Sequence, residues 1–175
     1  MGNKEVGKTS IINAYIQGSS QKFKSFERTN VITDFHKAER VTDKNGNQHT
    51  LQLNIWDAAG DANVHNLAHL FLKDVNCCIL VYSIDNKNSF DQLQEWAEHL
   101  ENSGNEYFLV VVGNKSDLEE HRAVPQTFAT QLKKILHNCK FTIETSSFED
   151  MNSIRSLFEQ VTQFIVNDGF YQKKA

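Results

Sequence analysis

Short apolar runs alternate along the chain with stretches whose hydrophobic residues recur every three or four positions. Leu51, Leu53 and Ile55 alternate with polar neighbours as a half-buried strand does, and Asn45-Gly46 before them supplies the positive backbone angles of a tight hairpin turn. A hairpin therefore precedes Asp57. Segments 77–82, 108–113 and 140–144 read as further strands, each ending where a polar or glycine-rich segment begins. Phe90, Leu93, Trp96 and Leu100 fall on one helical face, and Ile154, Leu157, Phe158, Val161, Phe164 and Ile165 repeat at three and four. Both stripes read as core. This order of elements predicts an α/β fold with a mainly parallel sheet. Neither an internal repeat nor a proline- or serine-rich linker divides the chain.

Composition narrows the class. The 175 residues have the length of one domain, and 39% hydrophobic residues, 23% charged residues and a single proline exclude a disordered or fibrous chain. The longest apolar runs fall far short of the roughly 18 residues a membrane helix needs, and nothing near Met1 resembles a signal peptide, so a cytosolic protein is expected. A net charge of -4 leaves no basic surplus for a nucleic-acid backbone, so no nucleic acid is expected as a partner. Cys77, Cys78 and Cys139 lack metal-ligand spacing and read as buried thiols. His65 and His69 stand four apart but have no third ligand in sequence, and read as a solvated face. The glycosylation pattern at Asn114-Lys115-Ser116 is accidental without a signal peptide, and Val6 breaks the myristoylation pattern that begins Met1-Gly2.

Three segments carry chemistry. Gly2-Asn3-Lys4-Glu5-Val6-Gly7-Lys8-Thr9 fits the phosphate-binding loop pattern of Gly, four residues, Gly-Lys and Ser or Thr. Its glycines let the backbone curl around a triphosphate, Lys8 brings an ammonium to the outer phosphates, and the Thr9 hydroxyl can bind Mg2+. Residues 10–15, beginning with Ser10, open a helix whose positive end adds to this anion site. Asp57-Ala58-Ala59-Gly60 follows the hairpin: Asp57 can hold Mg2+ through water, and the Gly60 amide can sense a terminal phosphate. In Asn114-Lys115-Ser116-Asp117, the Asp117 carboxylate can accept from both the ring N–H and the exocyclic amine of guanine, a donor pair adenine lacks. Asn114 braces that loop and Lys115 lays its stem over the base.

The ordered set GNKEVGKT, WDAAG, NKSD and ETSS resembles the Ras superfamily of small GTP-binding proteins over essentially the whole chain. Trp56, the Ser89-Phe90-x-x-Leu93-x-x-Trp96 helix and Thr33-Asp34-Phe35 are similar to the Rab branch. The resemblance implies a Rossmann-like P-loop GTPase domain that binds GTP and GDP with Mg2+. It implies a switch in vesicle traffic, with segments 26–35 and 57–72 ordered by the terminal phosphate and read by effectors, exchange factors and GTPase-activating proteins. It implies that Glu144-Thr145-Ser146-Ser147 is the second guanine loop, with Ser146, Ser147 and Phe148 at the base, and that Phe23 packs beside the guanine. The first-switch metal ligand falls on Asn30 in one register and on Thr29 in another.

The departures from that pattern bear on turnover and on extent. Asp61 stands where the family places the glutamine that orients the attacking water, Lys4 and Glu5 occupy loop positions usually filled by small residues, and Ser147 and Phe148 replace an alanine and a lysine. Slow hydrolysis is expected, and a non-hydrolysing interaction module with the same fold is the alternative. The strand that leads into the phosphate loop in the family is missing before Gly2, so residues 1–175 are expected to be one small GTPase domain, N-terminally truncated. The family's prenylation cysteine is also missing, so membrane association is implied by the family alone.

Overall fold

The computed structural model describes residues 1–19, 32–60, 75–101 and 106–170. The elements in chain order are α1 (Lys8–Gln17), β1 (Ile32–Thr42), β2 (Gln48–Ala58), β3 (Cys77–Ser83), α2 (Lys87–Asp91), α3 (Leu93–Glu101) and β4 (Phe108–Asn114). A 3-10 segment (Ser116–His121), α4 (Gln126–Ile135), β5 (Cys139–Thr145) and α5 (Met151–Asn167) follow.

The parallel part of the fold is a three-stranded sheet in the order β3-β4-β5. Its central strand β4 is buried at every position, which is why the sequence there is a continuous apolar run rather than an alternation. One face of this sheet packs Leu80, Tyr82, Leu109 and Val111 against Leu93, Trp96 and Leu100 of α3 and Ala129 and Leu132 of α4. The other face packs Val81, Val110, Val112 and Phe141 against Ile11 and Ala14 of α1 and Ile154, Leu157, Phe158 and Val161 of α5. The result is helix, sheet, helix in three layers.

The expected hairpin pairs β1 with β2 antiparallel from Ile32 opposite Ala58 to Thr42 opposite Gln48, and it forms a separate two-stranded sheet. Along the outer edge of β3 lies Met1, whose ammonium donates to the Ile79 carbonyl at 2.6 Å and whose carbonyl accepts from Val81 N–H at 2.9 Å. The chain thus passes from this edge of β3 directly into the phosphate loop.

Several sequence expectations are corrected. Of Asn45-Gly46, Gly46 takes a positive φ (87°) and Asn45 does not. The connection is a longer turn, in which Gly46 N–H donates to the Asp43 carbonyl while the Asp43 side chain accepts from the Asn45 and Asn47 amides. An aspartate that satisfies three turn groups replaces the second left-handed residue a two-residue turn would need. Phe90 does not share a helix with Leu93, Trp96 and Leu100, because the helix is interrupted at Gln92 between α2 and α3. Cys78 and Cys139 are buried as expected, but Cys77, the first residue of β3 and opposite Phe108 of β4, is only partly so.

Candidate nucleotide site

The loops at the C-terminal ends of β2, β4 and β5 converge on the segment that opens α1. Gly2 (φ 131°) and Gly7 (φ 95°) take the positive angles that fold this loop back. Packing fixes them as well: a Cβ on Gly2 would stand 2.1 Å from the Val81 carbonyl oxygen, and one on Gly7 would stand 2.2 Å from Asn114 Nδ2. Glu5 adopts φ 64° without being glycine and is exposed, as is Lys4. Helix α1 begins at Lys8 with Ser10 in its first turn and with no acidic side chain there to oppose the positive end of its dipole.

Lys8 folds over the loop, its Nζ donating to the Gly2 carbonyl at 2.9 Å and the Asn3 carbonyl at 2.7 Å. Burial pulls this ammonium down to about 8, against the opposing pull of Asp57. The Thr9 hydroxyl donates to Asp57 Oδ2 at 2.5 Å, and Asp57 is buried. A hydroxyl and a carboxylate held side by side beside an anion-binding loop suit Mg2+, which keeps several waters and takes most of its other ligands from substrate phosphate. Gly60 lies against the loop itself: a Cβ there would be 2.4 Å from both the Asn3 carbonyl carbon and the Lys4 nitrogen. Gly60 therefore touches the loop that opens α1.

Asn114, at the end of β4, joins the phosphate loop to the end of β5 from a buried position. Its Nδ2 donates to the Val6 carbonyl at 2.9 Å, and its Oδ1 accepts from the Thr145 hydroxyl at 3.1 Å. Lys115 then turns the chain at φ 64° into the 3-10 segment. Asp117 is exposed, and its Oδ1 accepts from the Ser146 hydroxyl at 2.5 Å, while Oδ2 makes no bond to the described residues. Ser146 in turn accepts from the Glu149 amide at 2.9 Å and the Phe148 amide at 3.3 Å, and its backbone bridge to Asp150 closes a tight turn holding Ser147 and Phe148. Phe148 is 43% exposed. One carboxylate oxygen is thus pinned at Ser146, and the other has no bond among the described residues, which leaves an acceptor available.

The sequence model of the Ras family matches residues 1–167. The chain belongs to the Ras family. Within it, the chain is Rab-like. It is 33% identical over 168 residues to the Ras-related protein Rab-7a of Paramecium octaurelia, covering 93% of this chain and 77% of that protein. It is 30% identical over 185 residues to the Ypt/Rab-type GTPase Rab7 of Neurospora crassa, covering 100% of this chain and 82% of that protein. The Ypt/Rab-type GTPase ypt7 of Schizosaccharomyces pombe is 30% identical over 174 residues, covering 96% of this chain.

The described residues of this Ras-family site thus bring together Gly2, Asn3, Val6, Gly7, Lys8, Thr9, Asp57, Gly60, Asn114, Asp117 and Ser146. Phe23, Thr29, Asn30 and Asp61 lie outside the described residues, as do most of both switch segments. Three contributors escape a motif reading. Thr145 sits inside the Glu-Thr-Ser-Ser signal, but its partner is visible only in space. Arg122 grips Glu144 through two bonds of 2.8 Å and also binds Glu119, so it ties the segment after Asp117 to the end of β5. Those carboxylates hold the guanidinium pKa above its ordinary value. The third, Trp96, reads as core from its spacing and is core, yet its indole N–H reaches Asn3.

Proposed function

We propose that the protein is a GTP/GDP switch of the Rab type that acts in vesicle traffic. The observation that carries this reading is the bridge made by Asn114 from Val6 to Thr145, with Asp117 held at Ser146 beside it. Phosphate-loop and base-reading residues are braced by one buried side chain, an arrangement suited to a ligand with phosphates at one end and a base at the other. Mg2+ would be held by Thr9 and Asp57, and Lys8 would carry the charge at the outer phosphates. The names of the relatives, Rab-7a, Rab7 and ypt7, support the Rab assignment and with it partners that read the bound nucleotide.

The test is titration of nucleotide-free protein with labelled GDP, with and without Mg2+, and competition by GTP and ATP. GTP should compete and ATP should not; equal competition by ATP would sink the guanine reading.

Hydrolysis in this reading is slow, with Asp61 as one cause. An ionised aspartate only accepts hydrogen bonds, whereas a glutamine also donates and can orient the attacking water. Single-turnover hydrolysis of bound GTP should therefore rise in Asp61→Gln, and a rate no higher than wild type would refute that role. One observation favours the alternative, a non-hydrolysing interaction module: Glu5 holds a left-handed angle in the middle of the loop that must close on phosphate. Such an angle costs roughly 1–2 kcal/mol for a residue with a side chain, too little to abolish tight nucleotide binding.

A further inference from the structure

The indole N–H of buried Trp96 donates to Asn3 Oδ1 at 3.2 Å, and Asn3 Nδ2 donates to Gln92 Oε1. Gln92 and Trp96 stand one helical turn apart, linked by a bond of 3.2 Å from Trp96 N–H to the Gln92 carbonyl. A single turn therefore offers one donor and one acceptor to the two ends of one carboxamide. The orientation is unambiguous, because an indole nitrogen can only donate: Oδ1 must face Trp96, so Nδ2 faces Gln92 and Gln92 turns its oxygen inward.

The main chain of Asn3 meets the rest of the site. Its carbonyl accepts from Lys8 Nζ at 2.7 Å, and its peptide link to Lys4 lies directly beneath Gly60. The C-terminal half of the loop is anchored separately, through Asn114 and the Val6 carbonyl. The loop is thus held at three places: to β3 through Met1, to β4 through the Val6 carbonyl, and to the start of α3 through the Asn3 side chain.

We propose that Trp96 and Gln92 are positioning residues that clamp the Asn3 carboxamide. By fixing the Asn3–Lys4 peptide against Gly60, they set how well the site accepts a third phosphate beyond a diphosphate. The proposal rests on the nucleotide reading above and deepens it. Loosening this clamp moves the wall that faces the terminal phosphate, while the separately anchored segment from Val6 to Thr9 keeps its hold on the inner phosphates.

The test compares affinities for a non-hydrolysable GTP analogue and for GDP. Trp96→Phe keeps most of the buried ring area and removes the donor. It should weaken the analogue about tenfold or more and GDP by no more than about threefold. Equal losses for both would mark Trp96 as merely structural and overturn the proposal, as would no loss. Gln92 is exposed, so a second arm avoids the core. In the Asn3→Asp/Gln92→Glu cycle two carboxylates meet. The analogue-to-GDP ratio in the double variant should fall about fivefold further than the product of the single changes. A double variant that matches that product overturns the clamp. The same cycle read by thermal melting of nucleotide-free protein reports the contact even if the wild type binds no guanine nucleotide. Failure of the site reading and failure of the clamp are thereby separated.

Discussion

Thr145→Val isolates the brace between the loops without touching any group placed at the ligand. The Thr145 side chain is fully buried, and its hydroxyl supplies the 3.1 Å bond to Asn114 Oδ1. Valine fills nearly the same volume but leaves that buried oxygen without its donor. An orphaned buried acceptor costs about 1–3 kcal/mol, and the added methyl group returns up to about 0.8 kcal/mol. A net loss of about 1–2 kcal/mol follows, which for a domain of this size lowers the melting temperature by roughly 2–8 °C. Asn114 also holds the Val6 carbonyl, so the loss is shared with the phosphate loop. If the nucleotide-bound state carries it in full, GDP release quickens by about five- to thirtyfold, at 1.4 kcal/mol per decade. Thermal melting and dissociation of a fluorescent GDP analogue measure the two halves, with Thr145→Ser, which keeps the hydroxyl, as the control. A valine variant that melts and releases GDP like wild type would refute the claim that Asn114 couples the loops.

The Lys8 ammonium, lowered to about 8 by burial, should be raised by bound phosphate, so binding takes up a proton above pH 8. Affinity for GDP should accordingly fall as pH rises from 8 to 10, by at most about tenfold per unit, and Lys8→Arg should flatten that slope; a flat wild-type profile contradicts it. Asp117→Asn can keep its bond to Ser146 while presenting an amide N–H to a base donor. GTP and GDP should weaken together by 100-fold or more, about 3 kcal/mol, while the melting temperature of nucleotide-free protein stays near wild type, as a competition assay and a melt would register. Gly60→Ala would place a methyl group 2.4 Å from the Asn3–Lys4 peptide, so the two segments must part. Binding of a GTP analogue should suffer more than binding of GDP, and equal loss would show that Gly60 does not face the terminal phosphate.

The chemistry-bearing residues were legible because they lie in contiguous runs whose spacing the backbone mechanics dictate. A phosphate loop needs its glycines where the chain turns back, and Gly2 and Gly7 are where it does. The strands of the parallel sheet were equally legible, since a strand buried on both faces leaves an apolar run such as that of β4. What joins the runs was not legible. The contacts of Asn114 with Val6 and Thr145 and of Trp96 with Asn3 span from 31 to 108 residues of chain. A side chain that serves core and site at once presents only its core half to a periodicity argument. Helix α4 was missed for a related reason: Ala129 and Leu132 are its buried residues, too few to stand out as a stripe. The turn after β1 was misread because Asp43, two residues ahead of Asn45-Gly46, organises it through side-chain bonds that a dipeptide rule ignores.

The central claim is that the three convergent loops hold a guanine nucleotide, and the most direct measurement is the identity of what the purified native protein releases on denaturation. Chromatography of the released material should give GDP or GTP in an amount approaching one per chain. Adenine nucleotide in that amount would contradict the role of Asp117. Release of no nucleotide, together with no binding of added GDP in the presence of Mg2+, would contradict the reading of the site as a whole.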